Sequence, residues 1–324
     1  MFQSYLSNPI VLGVVLVIGL VILVKGADWL VDGASNLARR LGVSDLLIGL
    51  TIVAFGTSMP EFVVNMVSVA NGATDLAITN ILGSNIINTL VILGASALVY
   101  PIVVQRTTIR FDIPMNILAG TLVLLFVIVK LPIEESNSLS LTEGVMLLCI
   151  FCLFLYYSIK TAQGSTCQSS EPLMPTWQSI MLILVGLICL VIGGEMIVKS
   201  ATTIAQKMGV AESIIGLTIV ALGTSLPELA TSVVAAFKKN SDIAIGNVVG
   251  SNIFNVFFIL STSAIIKPLP LYDGITVDAL VTALSALIVW LLAVSNKEHK
   301  IGRWGGALLL ITYAIYLSYR LITC

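Results

Sequence analysis

The sequence predicts an all-α integral membrane protein of ten transmembrane helices, built as two inverted repeats of five. Composition, the spacing of apolar runs and an internal duplication carry that prediction. Of 324 residues, 57% are hydrophobic and only 10% charged, against about 25% charged in ordinary soluble domains; mean hydropathy is +1.05. Apolar runs near the ~20 residues a bilayer requires recur along the whole chain, with no separate polar domain. The stretch from Gly49 to Pro101 returns without a gap 167 residues later, from Gly216 to Pro268, and roughly half of the aligned positions are identical. Each copy belongs to a half with five apolar runs, an odd number, so the second half must enter the membrane from the opposite side.

In chain order, the first run covers 9–37. The N-terminus ahead of it lacks the basic start of a signal peptide, so the run reads as a retained helix. Runs at 44–70 and 74–100 hold the first copy of the repeat, and runs at 108–131 and 139–160 complete a first half, 1–160. The stretch TAQGSTCQSSEPLMPT, 161–176, is rich in Ser, Gly, Gln and Pro and reads as a linker. A run at 177–205 opens the second half, 177–324, with Gly193 and Glu195 standing where the first half has Gly26 and Asp28. Runs at 211–237 and 241–266 hold the second copy, and runs at 273–295 and 303–322 close the chain. The basic residues Arg39, Arg40, Arg106, Arg110, Lys160, Lys238, Lys239, Lys297, Lys300 and Arg303 fall on alternate connections. The positive-inside rule therefore puts the linker in the cytoplasm and both termini outside.

Several function classes drop out. A net charge of −1 offers nothing to nucleic acid. The five cysteines are scattered; Cys149 and Cys152 form a CxxC inside the apolar run LLCIFCLFLYY, with no second Cys/His pair to complete a metal site. The single histidine, His299, lies in the basic loop NKEHK. No nucleophile–base pair, histidine cluster or phosphate loop is present in a polar segment, which argues against an enzyme, and neither a cofactor nor an obligate protein partner is indicated.

The duplicated segments carry chemistry that lipid should reject. GTSMPE, Gly56 to Glu61, and GTSLPE, Gly223 to Glu228, each put a glutamate near the middle of a span, where an ionised side chain costs at least ~2.5–3.5 kcal/mol. Neither segment has a nearby Lys or Arg, so a bound cation is the natural counter-charge. Thr57 and Ser58 lie four and three residues before Glu61, on its helical face, and Thr224, Ser225 and Glu228 repeat the arrangement. Pro60 and Pro227 interrupt the helical ladder and free carbonyls near Ala54–Gly56 and Ala221–Gly223. Hydroxyls, carbonyls and a carboxylate make an all-oxygen site suited to hard cations such as Ca²⁺, Na⁺ or Mg²⁺. The next span repeats as well, NILGSNIIN (80–88) against NVVGSNIFN (247–255), with Ser84 and Asn88 on one face and Ser251 and Asn255 on its counterpart. Asn80, Asn85, Asn247 and Asn252 suit helix–helix hydrogen bonds equally well. Asp28 and Glu195 lack the proline and hydroxyl context and are expected to pair with Lys25 or Lys199 or to serve access. Asp75, Asp112, Asp242 and Asp278, near span ends, are expected to cap helices.

Together GTS-[LM]-PE and GSN-x-x-N, each duplicated, resemble the two α-repeats of sodium/calcium exchangers, within the calcium:cation antiporter superfamily, and the short linker resembles the prokaryotic branch. The resemblance covers the whole chain. It implies an antiporter of the inner membrane that exchanges Ca²⁺ for Na⁺ through a midplane site. It implies carboxylate ligands at Glu61 and Glu228, hydroxyl ligands at Thr57, Ser58, Thr224, Ser225, Ser84 and Ser251, carbonyl ligands at Ala54 and Ala221, and an amide at Asn88. Asn255 stands where potassium-dependent relatives carry Asp, which argues against obligatory K⁺ cotransport. It further implies that the first and sixth spans slide against the rest, for which the glycines Gly13, Gly19, Gly26, Gly186, Gly193 and Gly194 provide suitable faces. A Ca²⁺/H⁺ antiporter using the same glutamates is the alternative, and a passive cation channel a more distant one.

Overall fold

The computed structural model describes residues 9–129, 138–162, 174–209, 221–272 and 274–323. Helix α1, Pro9–Leu41, keeps Val14 and Val21 outward and buries Ala27, Leu30 and Ala34, the helical stripe expected of a span with one protein-facing side. A bent pair follows: α2, Asp45–Thr57, and α3, Met59–Ala70, meet at 43°. Pro60 lies in the first turn of α3, where its missing N–H costs that helix nothing but denies α2 a continuation. Then come α4, Leu76–Val99, strand β1, Ile102–Val103, α5, Thr108–Ile128, strand β2, Ser138–Leu139, and α6, Leu141–Ala162.

The second half repeats the order. Helix α7, Thr176–Lys207, is followed by a helical turn, Ala221–Gly223, and α8, Leu226–Phe237, with Pro227 in its first turn. Next are α9, Ser241–Ile266, β3, Leu269–Pro270, α10, Ile275–Ser295, β4, Lys300–Ile301, and α11, Arg303–Thr323. Eight helices among the described residues are long and apolar enough to cross a membrane, and the bent pair makes a ninth span. The expected span over 211–237 begins in 210–220, outside the described residues; α8 is its remainder. Most of the linker, 163–173, also lies outside them.

The bounds preserve the 167-residue offset: α3 at 59–70 against α8 at 226–237, and β1 at 102–103 against β3 at 269–270. Contacts between the halves are reciprocal. Strand β1 pairs antiparallel with β4, and β3 pairs antiparallel with β2, so each half lends a strand to the other. The end of α4 packs on α11 while the end of α9 packs on α6, and α5 packs on α10. Glycines let these backbones approach: a Cβ on Gly306 would lie 2.6 Å from the Gly94 carbonyl, and one on Gly144 2.9 Å from the Ser261 carbonyl, the counterpart of Gly94.

Helices α1 and α7 form the tightest seam. Gly19 faces Gly193, Gly26 faces Gly186, and Gly33 faces Ser179. As the α1 number rises the α7 number falls by the same step, so the two helices run antiparallel. Of the glycines expected on these faces, Gly13 has open space around it and Gly194 only Leu226 at 3.9 Å; the others join the two helices to each other. At the centre, α4 and α9 are the most enclosed spans, 78% and 94% buried over their apolar windows. Each contains a π-helical turn, Ile87–Ile92 and Asn255–Leu260, a local widening common beside functional side chains.

Candidate functional site

The two glutamates are brought together. Glu61, in the first turn of α3, and Glu228, in the first turn of α8, have no solvent exposure. The breaks that place them are alike: Ser58 has φ −83° and ψ 5°, and Ser225 has φ −87° and ψ 5°. Each serine serves the other half. Ser58 Oγ donates to Glu228 Oε1 at 3.0 Å, and Ser225 Oγ donates to Glu61 Oε1 at 3.4 Å. The second carboxylate oxygens, Glu61 Oε2 and Glu228 Oε2, are buried without a hydrogen-bond partner. The two carboxylates are near enough to repel, and among the described residues neither is ion-paired to a Lys or Arg.

Several of the remaining predicted residues bond to this pair or to its immediate neighbours. Thr57 Oγ1 donates to Asn247 Oδ1 at 3.0 Å and lies 3.3 Å from the Ala54 carbonyl. That carbonyl also accepts from Ser58 N–H, 3.0 Å, and lies within reach of Ser251 Oγ, 3.4 Å. Ser251 Oγ is equally 3.4 Å from Glu228 Oε1. The Thr224 hydroxyl stands beside Glu61. Ser84 Oγ, both amide atoms of Asn88 and Asn255 Oδ1 are buried and unpartnered, while Asn255 Nδ2 donates to Asn85 Oδ1 at 2.9 Å. Unpaired buried acceptors are costly; the unpartnered carboxylate oxygens, with the Ser58, Ser225 and Ser251 hydroxyls and the Ala54 carbonyl beside them, make a set of oxygens that fits a hard cation. Ala221 precedes the break as its repeat position requires; nothing is described of its side chain. No group of three or more His, Cys, Asp or Glu gathers among the described residues.

The other asparagines hold helices. Asn247 Nδ2 donates to Ser232 Oγ, 2.9 Å, and to the Glu228 carbonyl, 3.3 Å. Asn80 Nδ2 donates to Asn65 Oδ1, 2.8 Å. Asn85 Nδ2 donates to the Asn252 carbonyl, 3.2 Å, and Asn252 Nδ2 to Thr89 Oγ1, 2.7 Å. Asn65 and Ser232 were absent from the expected set; both are polar and stand 167 residues apart, and that symmetry is the signal that finds them.

A cavity of about 410 Å³ is lined by Glu195 and Lys199 on α7, by Val63 and Pro227, and by Thr224. Glu195 pairs with Lys199 at 2.7 Å. Its repeat counterpart Asp28 pairs with Lys25 at 3.7 Å, as expected, and also across the helices: Lys238, just past α8, lies 2.6 Å from Asp28 Oδ1 and 2.6 Å from Asp32 Oδ1. Asp112, Asp242 and Asp278 are not the caps expected of them. Asn240 caps α9 through Ile243 N–H, leaving Asp242 to accept from Gln105. Asp278 accepts from two tyrosines, Tyr272 and Tyr316, and Asp112 makes no capping bond; the side chain of Asp75 lies outside the described residues.

With that geometry in hand, similarity to known proteins is extensive. The sodium/calcium exchanger protein family matches residues 11–160 and 178–322. The chain is 38% identical to the putative antiporter CaxA of Alkalimonas amylolytica, over 92% of this chain and 95% of that protein. It is 30% identical to the sodium/calcium exchanger MaX1 of Methanosarcina acetivorans, over 94% and 96%. Its fold superposes on the sodium-calcium exchanger NCX_Mj, soaked with 10 mM Na⁺ and zero Ca²⁺, with TM-score 0.83 and 32% identity, covering 96% of this chain and 99% of that one.

Proposed function

Because the chain belongs to the sodium/calcium exchanger family, we propose that it exchanges Ca²⁺ for Na⁺ across the inner membrane by alternating access. The two halves, 1–160 and 177–324, are five-helix repeats of opposite orientation joined by a cytoplasmic linker, 161–176, with both termini outside. The antiparallel α1–α7 seam and the exchanged strand pairs support the inversion. One observation carries the ion site: two fully buried glutamates from different halves, each tied through one oxygen to the other half's serine, each with its second oxygen unpartnered.

Two carboxylates supply about two negative charges. One Ca²⁺ neutralises them, and so do two Na⁺, with a third able to use hydroxyl and carbonyl oxygens alone. Both ions need Glu61 and Glu228, so they exclude each other, and exclusion is the physical basis of exchange. Bare carboxylates in low dielectric make the empty carrier's crossing unfavourable, which couples one ion's return to the other's passage. Thr57, Ser58, Ser84, Asn88, Thr224, Ser225, Ser251, Asn255 and the Ala54 and Ala221 carbonyls complete the coordination. The α1–α7 pair moves as a unit against the other helices.

Uptake of ⁴⁵Ca²⁺ into proteoliposomes tests the reading. An outward Na⁺ gradient at equal pH should drive accumulation, and a pH gradient without Na⁺ should not. Accumulation under the pH gradient alone would assign proton exchange, and flux without any counter-gradient would assign a channel.

A further inference from the structure

Internal symmetry exposes an inequality away from the glutamates. Strand pairing fixes the relation between the last helices of the two halves: β2 at 138–139 and β4 at 300–301 pair with equivalent partners, an offset of 162. Gly144 and Gly306 keep that offset in their contacts with Ser261 and Gly94. By the same relation Ser158 on α6 is the counterpart of Arg320 on α11, and Phe154 that of Tyr316. Asp112, in IRFD at the start of α5, is the counterpart of Asp278, in ITVD at the start of α10.

In the second half the aspartate is fully compensated. Asp278 is 5% exposed on its side chain; Arg320 Nε lies 3.4 Å from Oδ1, Tyr316 donates to Oδ1 at 2.9 Å, and Tyr272 to Oδ2 at 2.6 Å. In the first half Asp112 is just as buried, at 5%, yet among the described residues it has no ion pair; the Thr108 hydroxyl stands beside it. Where Arg320 would be, Ser158 is 8% exposed and its Oγ has no partner. Asp112 and Ser158 line a common cavity of about 80 Å³, room for a small cation with a few waters. Ser44, Gln105, Thr107, Tyr157 and Thr161 are its other polar lining residues. The Gln105 amide nitrogen donates to Asp242 at 2.6 Å, which leaves its oxygen, 3.5 Å from Thr107 Oγ1, as the acceptor it can offer.

The geometry points to a second cation site, formed by Asp112 and Ser158, in which a small monovalent cation such as Na⁺ occupies the place that the Arg320 guanidinium fills in the other half. All available ligands are oxygens, which suits a hard ion. One carboxylate balances one positive charge; a divalent ion would leave a buried surplus. The site uses none of the residues around Glu61 and Glu228 and stands whether or not those residues carry exchange.

Two readouts on the purified full chain test it. Crystals soaked in Tl⁺, an electron-dense monovalent probe, should give an anomalous peak between Asp112 and Ser158, lost in Ser158→Arg and in Asp112→Asn. The second readout is thermal unfolding in a Glu61→Gln/Glu228→Gln background. Replacing N-methylglucamine by Na⁺ at constant ionic strength should raise the midpoint by several degrees. Ser158→Arg, which supplies its own cation, should abolish that shift while holding the midpoint near the Na⁺-loaded value. Should Ser158→Arg fail to fold, Asp112→Asn supplies the Na⁺-insensitive comparison. No Tl⁺ peak at this position, a peak with Ca²⁺ alone, or a Na⁺ shift that neither substitution reduces would overturn the assignment.

Discussion

At the scale of residues, the clearest signal was a carboxylate where hydrocarbon should forbid one, written twice. Glu61 and Glu228 with their threonines and serines were legible because burial cost and repetition point the same way. What each side chain touches was not legible: Ser58 bonds the distant Glu228, 170 residues away, and not its own Glu61. Asp112 and Asp278 read as caps because proximity to a helix start is a local cue, whereas distant residues surround them: Tyr316 and Arg320 of α11 meet Asp278, and Ser158 of α6 lines a cavity with Asp112. Asn255 carries a prediction at this scale. Its amide donates to Asn85 and leaves only a neutral oxygen free, so the proposed site has two carboxylates and no third to hold a potassium ion. Exchange rates should be unchanged when K⁺ is removed from both sides of the vesicle; arrest of exchange would contradict this.

At the scale of elements, span positions followed from apolar run length, and the 43° break followed from Pro60. The two-residue strands were invisible, since two residues carry no periodicity. The cross-helix tie of Lys238 to Asp28 and Asp32 was missed because Lys25 and Lys199 are nearer in sequence. Part-exposed ion pairs contribute about 0–1 kcal/mol, enough to bias a moving helix without locking it. If α1 shifts relative to α8 during exchange, Lys238→Met should favour the state in which α1 has moved. A cysteine replacing the buried Ala34, in a background without native cysteines, should then react with a small thiol reagent up to about fivefold faster, the factor ~1 kcal/mol allows. An unchanged labelling rate would separate Lys238 from that motion.

At the scale of the whole molecule, the duplication was plain from a constant offset, but which helices meet across the halves was not. The exchanged contacts, β1 with β4 and β3 with β2, α4 with α11 and α9 with α6, come from three-dimensional closure that no single segment encodes. Orientation rests on the basic loops. A cysteine introduced at Ser169, which lies outside the described residues, should resist membrane-impermeant thiol reagents in intact cells lacking the native cysteines; ready labelling would reverse the topology. The central claim is that Glu61 and Glu228, 167 residues apart, form one cage to which each half contributes equally. Equilibrium Ca²⁺ binding to the unmodified chain, Glu61→Gln, Glu228→Gln and the double variant tests it most directly. A shared cage predicts that either single loses nearly all high-affinity Ca²⁺ binding and that the double costs little more. Singles that each retain half of the Ca²⁺ capacity, with losses that add in the double, would mean two independent sites and would contradict the account.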